Sequence, residues 1–389
     1  MSSQGYDADT STDRLTGLPV PIRLLTLLAT LFVFFISINL MGDALKALTT
    51  TYVKDLLSEA TAYPLVGLFL GILTTSIIQS SSTTTSIVVA FAATGTIELR
   101  AAIPIIMGAN IGTTVTNTLV SFAYIRRQGE FRRAMAAGTV HDWFNILATM
   151  ILLPLEMSTH LLERCAIWVK GEMIGSSFGK LGGLKTLVKP IVHALSDLFH
   201  YPGITLAVAL IVLIASLIIM VKVMRSIFIQ KMAKIMDRFL FRNAFTAFVV
   251  GIIFTVLVQS SSVTTSLVIP LVGAGILTLT QIFPYTLGAN IGTTVTAFLA
   301  ALALAAGVEG NVNVGAAVQA AAGVGVTVAV VHLLFNVFGI ILIYPIKRVP
   351  IFLAEWLSVV VSTSKKNVII FIIVYFSLYL VPLTLLLVF

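Results

Sequence analysis

Residues 79–86 read Gln-Ser-Ser-Ser-Thr-Thr-Thr-Ser and sit inside an otherwise apolar run, 65–91. An unpaired hydroxyl or amide costs roughly 2–7 kcal/mol in hydrocarbon. Such a run must therefore bury itself against protein, line water or hold a ligand. The stretch then returns: from Gly251 the chain reads Gly-Ile-Ile-Phe-Thr-Val-Leu-Val-Gln-Ser-Ser-Ser-Val-Thr-Thr-Ser, with Gln259 lying 180 residues after Gln79. Two copies of a costly feature point to one site built from both.

Hydrophobic residues make up 58% of the 389 and charged residues only 10%. The apolar runs are too many and too long for a soluble core, so the expected class is an all-α polytopic membrane protein embedded in a lipid bilayer. The single cysteine, Cys165, excludes an intrachain disulfide and a cysteine metal cluster. A net charge of +8 would suit nucleic acid, but the Lys and Arg fall in short loops between apolar segments. That is the pattern of membrane topology, and no nucleic-acid partner is expected. No cleaved signal peptide is recognised in the first 20 residues, and the first helix is expected to serve as the insertion signal.

The expected organisation is a polar, disordered tail (1–20), a first repeat with the first spanning helix (21–155), an extracytoplasmic segment (156–200), a second repeat (201–350), and an interfacial segment with a C-terminal span (351–389). Spans are expected at 21–43, 101–123, 134–155, 201–221, 283–306, 323–346 and 368–389. The stretches 65–91 and about 245–275 are too short for two crossings and carry a polar middle. Each reads as a re-entrant helical hairpin whose tip is its Gln-Ser-Ser-Ser run. Arg126, Arg127, Arg132 and Arg133 place one loop in the cytoplasm, and Lys222 through Arg242 and Lys347–Arg348 agree with it. Three crossings then separate the hairpins, an odd number, so the repeats are expected to be inverted, a recurring plan of secondary transporters.

A second shared motif follows each glutamine at one distance: Gly-Ala-Asn-Ile-Gly-Thr-Thr-Val-Thr at 108–116 and again at 288–296. Asn110, Thr113, Thr114, Asn290, Thr293 and Thr294 supply neutral oxygens of the kind a hard cation such as sodium takes. The competing reading is that small residues and threonines only pack helices together. The serine runs suit the opposite charge. A helix broken at the tip offers free N–H groups and the positive end of its dipole, which favour an anion. Two such tips would supply donors for a tetrahedral oxyanion; a polar packing seam or a water-filled pore is the alternative.

His141-Asp-Trp-Phe-Asn145 and His332-Leu-Leu-Phe-Asn336 form a third pair, 191 residues apart, so the second half carries eleven extra residues, placed near 309–322. Only the first copy has a carboxylate, Asp142, which either holds a further cation or pairs with Arg132 or Arg133. Neither histidine has the neighbours of a catalytic or metal site, and each is expected to bond a neighbouring helix. No nucleophile, base and orienter can be assembled, so an enzyme is not expected.

The paired Gln-Ser-Ser-Ser runs combine with Ile-Pro-Ile-Ile-Met-Gly-Ala-Asn-Ile-Gly-Thr from Ile103 and Phe-Arg-Arg-Ala from Phe131. Val140 through Asn145, Leu-Pro-Leu-Glu from Leu153 and Tyr-Pro-Ile from Tyr344 complete the ordered set. In it the chain resembles the type II sodium-phosphate cotransporters, in particular their bacterial members, over about 64–350. The resemblance implies sodium-coupled import of inorganic phosphate across a bacterial cytoplasmic (inner) membrane. By position it makes Gln79, Ser80, Ser81, Ser82, Gln259, Ser260, Ser261 and Ser262 the phosphate shell. Sodium contacts would come from Gln79, Ser82, Thr83, Asn110, Thr113, Asp142, Gln259, Ser262, Thr264, Asn290 and Thr293. Within the family an aspartate after the first histidine marks electrogenic members, so Asp142 implies electrogenic transport. The large glycosylated, disulfide-bonded outer loop of animal members has no counterpart, since 156–200 holds one cysteine and no Asn-x-Ser/Thr. The expected C-terminus lies outside, without a regulatory tail. A carrier of another oxyanion, such as sulfate or arsenate, and a membrane scaffold without transport remain the alternatives.

Overall fold

The structure, a computed structural model, describes residues 17–48, 63–174, 183–235, 243–308 and 316–388. Among these residues the secondary structure is helical, with no strand. The first half contains α1 (Val20–Leu48), α2 (Pro64–Ile78), α3 (Ser81–Ala93), α4 (Leu99–Gly112), α5 (Val115–Ser121), α6 (Gln128–Thr159), α7 (Leu161–Ile174) and α8 (Gly183–Phe199). The second contains α9 (Pro202–Ile235), α10 (Ala244–Val258), α11 (Ser261–Ser266), α12 (Ile269–Gly273), α13 (Leu279–Val308), α14 (Ala316–Ile343), α15 (Arg348–Ser362) and α16 (Lys365–Val388).

Six described stretches are long and apolar enough to cross a membrane: Val20–Leu45, Leu99–Tyr124, Gln128–Thr159, Pro202–Ile227, Leu279–Leu304 and Gly323–Ile343. They match six of the seven expected spans. The seventh falls on α16, a helix of 24 residues, whose side chains beyond residue 377 lie outside the description. The tail at 1–16, and residues 309–315 of the eleven-residue excess, also lie outside it. Where it is described, the segment 156–200 is helical apart from His160 and His200, as the end of α6 with α7 and α8.

Both hairpins are present. Limbs α2 and α10 have 15 residues each. At 1.5 Å per residue that is about 22 Å, short of the ~30 Å hydrocarbon layer. In the first copy the chain folds back, because the Thr75 hydroxyl on α2 donates to Thr84 Oγ1 on α3 at 2.9 Å. The second limb of the second copy is divided, α11 giving way to α12 around Val268 with Pro270 in the first turn.

Each hairpin is held against the helix that follows it by a backbone crossing only glycine permits. A Cβ at Gly71 would fall on the Ile105 carbonyl oxygen and one at Gly108 on that of Leu68; in the second copy Gly251 and Gly288 meet Tyr285 and Phe248 in the same way. Every one of these residues is displaced by 180 from its counterpart. The small-residue motif therefore sets the α2–α4 and α10–α13 crossings, and the packing reading of its glycines is correct.

The two halves share one apolar core, with Phe144 of α6 edge-on to Phe283 of α13 at 6.3 Å between centroids. Helix α15 buries Pro350, Ala354, Ser358 and Val361 along one face and leaves Phe352, Trp356, Val359 and Val360 exposed.

Candidate functional site

At each tip the helix is interrupted by one left-handed residue, Gln79 (φ 58°) or Gln259 (φ 56°), then resumes after an extended serine, Ser80 (φ −151°) or Ser260 (φ −152°). A non-glycine residue in that region costs of order 1–3 kcal/mol. The glutamine amides offset it. Each Nε2 donates to its own limb, Gln79 to the Ser76 carbonyl and Gln259 to the Val256 carbonyl. Each Oε1 accepts from the threonine that ends the same repeat's glycine motif, Thr116 or Thr296, at 2.7 Å. The glutamines thus brace the turns.

The three serines of each run do different work. Ser80 and Ser260 are helix caps, their Oγ accepting from the backbone N–H of Thr83 (3.2 Å) and Val263 (3.3 Å). Ser82 and Ser262 reach across the molecule: Ser82 Oγ donates to the Gln259 carbonyl at 3.4 Å and Ser262 Oγ to the Thr113 carbonyl at 3.2 Å. Thr265 adds a third stitch, to Asn117 Oδ1 at 2.9 Å. Ser81 and Ser261 open the resumed helices, are buried, and carry no side-chain hydrogen bond to any described residue. The two tips therefore meet, with one uncommitted hydroxyl from each. Next to them lie the first-turn N–H groups of helices resuming from a break.

Oxygens for a cation lie beside this meeting point. The hydroxyls of Thr83, Thr113, Thr264 and Thr293 spend their protons on Ser80 Oγ and on the carbonyls of Ala109, Ser260 and Ala289, at 2.8–3.0 Å. Each keeps lone pairs free to accept a cation. Asn290 joins the halves: its Oδ1 lies 2.7 Å from His141 Nε2, and its amide donates to Asn145 Oδ1 at 2.9 Å. Asn145 in turn donates to the Asn110 carbonyl at 2.9 Å. Asp142 stands apart from that chain. It is buried, its Oδ2 accepts from Thr118 Oγ1 at 3.1 Å, and it forms no ion pair with Arg132 or Arg133, which removes that alternative.

The copies are not equivalent in shape. Gln79 is exposed while Gln259 is only 8% exposed. The helix of the glycine motif is interrupted at Thr113–Thr114 in the first copy and continuous in the second. His141 bonds Asn290 as expected, whereas neither ring nitrogen of His332 has a partner among the described residues, contrary to expectation.

Thr116 and Thr296 were legible, since both sit inside the repeated nine-residue motif, but nothing in that motif distinguishes them from the threonines beside them. Thr118 and Tyr375, which flank Asp142, carried no comparable signal. Tyr375 lies 233 residues away, in helix α16.

A family model described as Na+/Pi-cotransporter matches residues 33–152 and 212–386. Among curated proteins the chain is 31% identical to "Sodium-dependent phosphate transport protein 2B" of Homo sapiens and of Pongo abelii, each over 93% of this chain and 64% of the relative. It is 33% identical to "Sodium-dependent phosphate transport protein 2A" of Ovis aries, over 88% of this chain and 64% of that protein. The chain thus spans a little under two thirds of the length of the relatives it matches. No solved structure matches it. A match across both halves, including both Gln-Ser-Ser-Ser tips, makes this multi-pass membrane protein a member of the Na+/Pi-cotransporter family.

Proposed function

We propose that the chain is a secondary active transporter that imports inorganic phosphate together with sodium, by alternating access, in a bacterial cytoplasmic (inner) membrane. The observation that carries this reading is the meeting of the two tips, which leaves Ser81 and Ser261 uncommitted between helix N-termini and beside neutral cation oxygens. The names of the relatives support phosphate and sodium as cargo. Phosphate bridges the tips, held by Ser81, Ser261 and first-turn N–H groups. Sodium binds first, from outside, at the threonine and asparagine oxygens and at Asp142, neutralising part of the charge that phosphate brings into a site of low dielectric.

Alternation is supported by three candidate spans between the hairpins, an odd number that inverts one repeat against the other. It is supported also by the exposed first tip and covered second tip, the arrangement expected when a site opens to one side only. Asp142, present in one repeat only, supports electrogenic transport. The bacterial assignment rests on the likeness of the motifs to bacterial members and on the segment 156–200, which lacks glycosylation sites and a cysteine pair.

Purified protein in proteoliposomes is expected to accumulate phosphate under an inward sodium gradient and not under potassium at matched potential. Competition by sulfate or arsenate identifies the oxyanion preferred. Absence of accumulation by folded protein refutes the reading. Asp142→Gly is expected to leave uptake indifferent to an imposed potential, where the wild-type chain gains up to about 2.3 kcal/mol per charge per 100 mV. Equal voltage dependence in the two proteins would show that Asp142 is not the charge-bearing cation site.

A further inference from the structure

The Asp142 carboxylate is 5% exposed and is approached from an unexpected direction. Tyr375, on the C-terminal helix α16, places its hydroxyl 3.3 Å from Asp142 Oδ2 and 3.3 Å from Thr118 Oγ1. Oδ2 is thus shared by two hydroxyls, while Oδ1 has no protein partner among the described residues and faces no cationic side chain within ion-pair distance. A buried carboxylate oxygen left in that condition is disfavoured unless a cation or proton joins it.

The tyrosine is held in place. Its ring stacks on Phe371 at 5.1 Å, Phe371 contacts Phe122 at 6.2 Å, and Phe122 contacts Phe131 at the start of α6, the helix of Asp142. Phe131, Met135, Val361 and Val368 form the small apolar cluster under this ladder. Helix α16 also packs along α2, the first limb of the first hairpin.

We propose that Tyr375 is a positioning residue of the Asp142 cation pocket. Its hydroxyl fixes Oδ2 so that Oδ1 and the Thr118 oxygen present themselves to sodium, and the affinity for sodium therefore depends on the docking of α16. This rests on the reading of Asp142 as a sodium ligand.

Tyr375→Phe removes the hydroxyl and keeps the stacked ring. In proteoliposomes the sodium concentration for half-maximal phosphate uptake is expected to rise by about tenfold or more, the worth of one hydrogen bond to a charged group. The half-saturating phosphate concentration, taken at saturating sodium, is expected to stay within about twofold, since this hydroxyl meets the carboxylate and not the tips. In an Asp142→Gly background the same substitution is expected to add no further shift. A change in phosphate half-saturation as large as that in sodium would mark a general packing defect and overturn the proposal. So would an unchanged sodium requirement in Tyr375→Phe while Asp142→Gly alters it, an outcome that leaves the reading of Asp142 standing. If Asp142→Gly itself leaves the sodium requirement unmoved, the underlying reading fails with it.

The second pair of His-x-x-Phe-Asn residues carries an independent inference. His141, Asn290, Asn145 and the Asn110 carbonyl form a continuous chain between α6, α13 and α4. By the repeat, the counterpart is His332, Asn110, Asn336 and the Asn290 carbonyl, and α14 does pack against α4. That chain is open. Both nitrogens of His332 and Oδ1 of Asn336 are buried without partners among the described residues, and the amides of Asn110 and Asn336 turn back onto the carbonyls of Ile106 and His332.

We infer that the two chains are alternating latches: closing His332 on Asn110 releases His141 from Asn290 and accompanies the exchange of the open side. Unsatisfied buried groups disfavour the present state, so His332→Leu is expected to raise the apparent melting temperature in detergent while uptake is lost. His141→Leu, which breaks a made bond, is expected to lower it. Shifts of the same sign, or normal uptake by His332→Leu, would overturn the latch; loss of uptake in every variant with opposite signs of stability supports it.

Discussion

Ser81→Ala combined with Ser261→Ala is expected to cut sodium-driven phosphate uptake by about a hundredfold or more, without loss of folded protein. Each hydroxyl removed is a hydrogen bond to a charged oxyanion, of order 1.5–3 kcal/mol, and two of them give at least two powers of ten. Folding survives because neither hydroxyl is bonded to a described residue, so no buried partner is orphaned. Ser80→Ala provides the contrast. Its oxygen caps α3 through the Thr83 N–H, and its loss is expected to lower stability by about 1 kcal/mol. Sodium-dependent uptake and elution as a single species, measured on the same preparations, separate the two effects. Wild-type uptake by the double variant would remove the tips from the binding site.

Gly108→Leu, or its counterpart Gly288→Leu, is expected to prevent assembly of the folded protein. At both positions the first added carbon would fall on a carbonyl oxygen of the facing helix, on Leu68 from Gly108 and on Phe248 from Gly288. Overpacking a core with flexible neighbours costs about 1–3 kcal/mol; here the obstacle is backbone, so the whole α2–α4 or α10–α13 crossing has to open. Because the tip is braced from the same motif, through Gln79 to Thr116 and Gln259 to Thr296, the site would be lost with the crossing. Gly171 is the control: nothing lies within 4 Å of a Cβ built there. Gly171→Ala is expected to leave yield and monodispersity intact, and a Gly108→Leu protein that elutes like it would contradict the crossing.

Several features of the site were legible because their physical cause is local. A polar run at membrane depth needs partners wherever it is placed, and its recurrence at one spacing with the glycine motif marks Gln79, Gln259, Asn110 and Asn290 as members of one candidate site. The glycines stood out for the same reason, since close approach of two helices leaves few other residues at the crossing. The roles within each run were not legible. Ser80, Ser81 and Ser82 are chemically identical neighbours, and what separates the cap, the free hydroxyl and the cross-link is the direction each side chain takes after the left-handed turn at Gln79. Likewise, nothing in the motifs revealed that Tyr375 meets Asp142, because the contact depends on how α16 docks and not on any spacing.

By itself the sequence determined the class, the six apolar spans now described, the two broken hairpins and the residue types gathered at their tips. All of these follow from how much apolar length a bilayer requires and how much an unpaired polar group costs there. Only the tertiary structure decided which tip glutamine is exposed, which histidine is bonded and which carbonyl meets which serine. Those choices are made between two nearly identical copies. Identical motifs carry equal local preferences, so the difference between Gln79 and Gln259, or between His141 and His332, arises from the packing of each copy against the other.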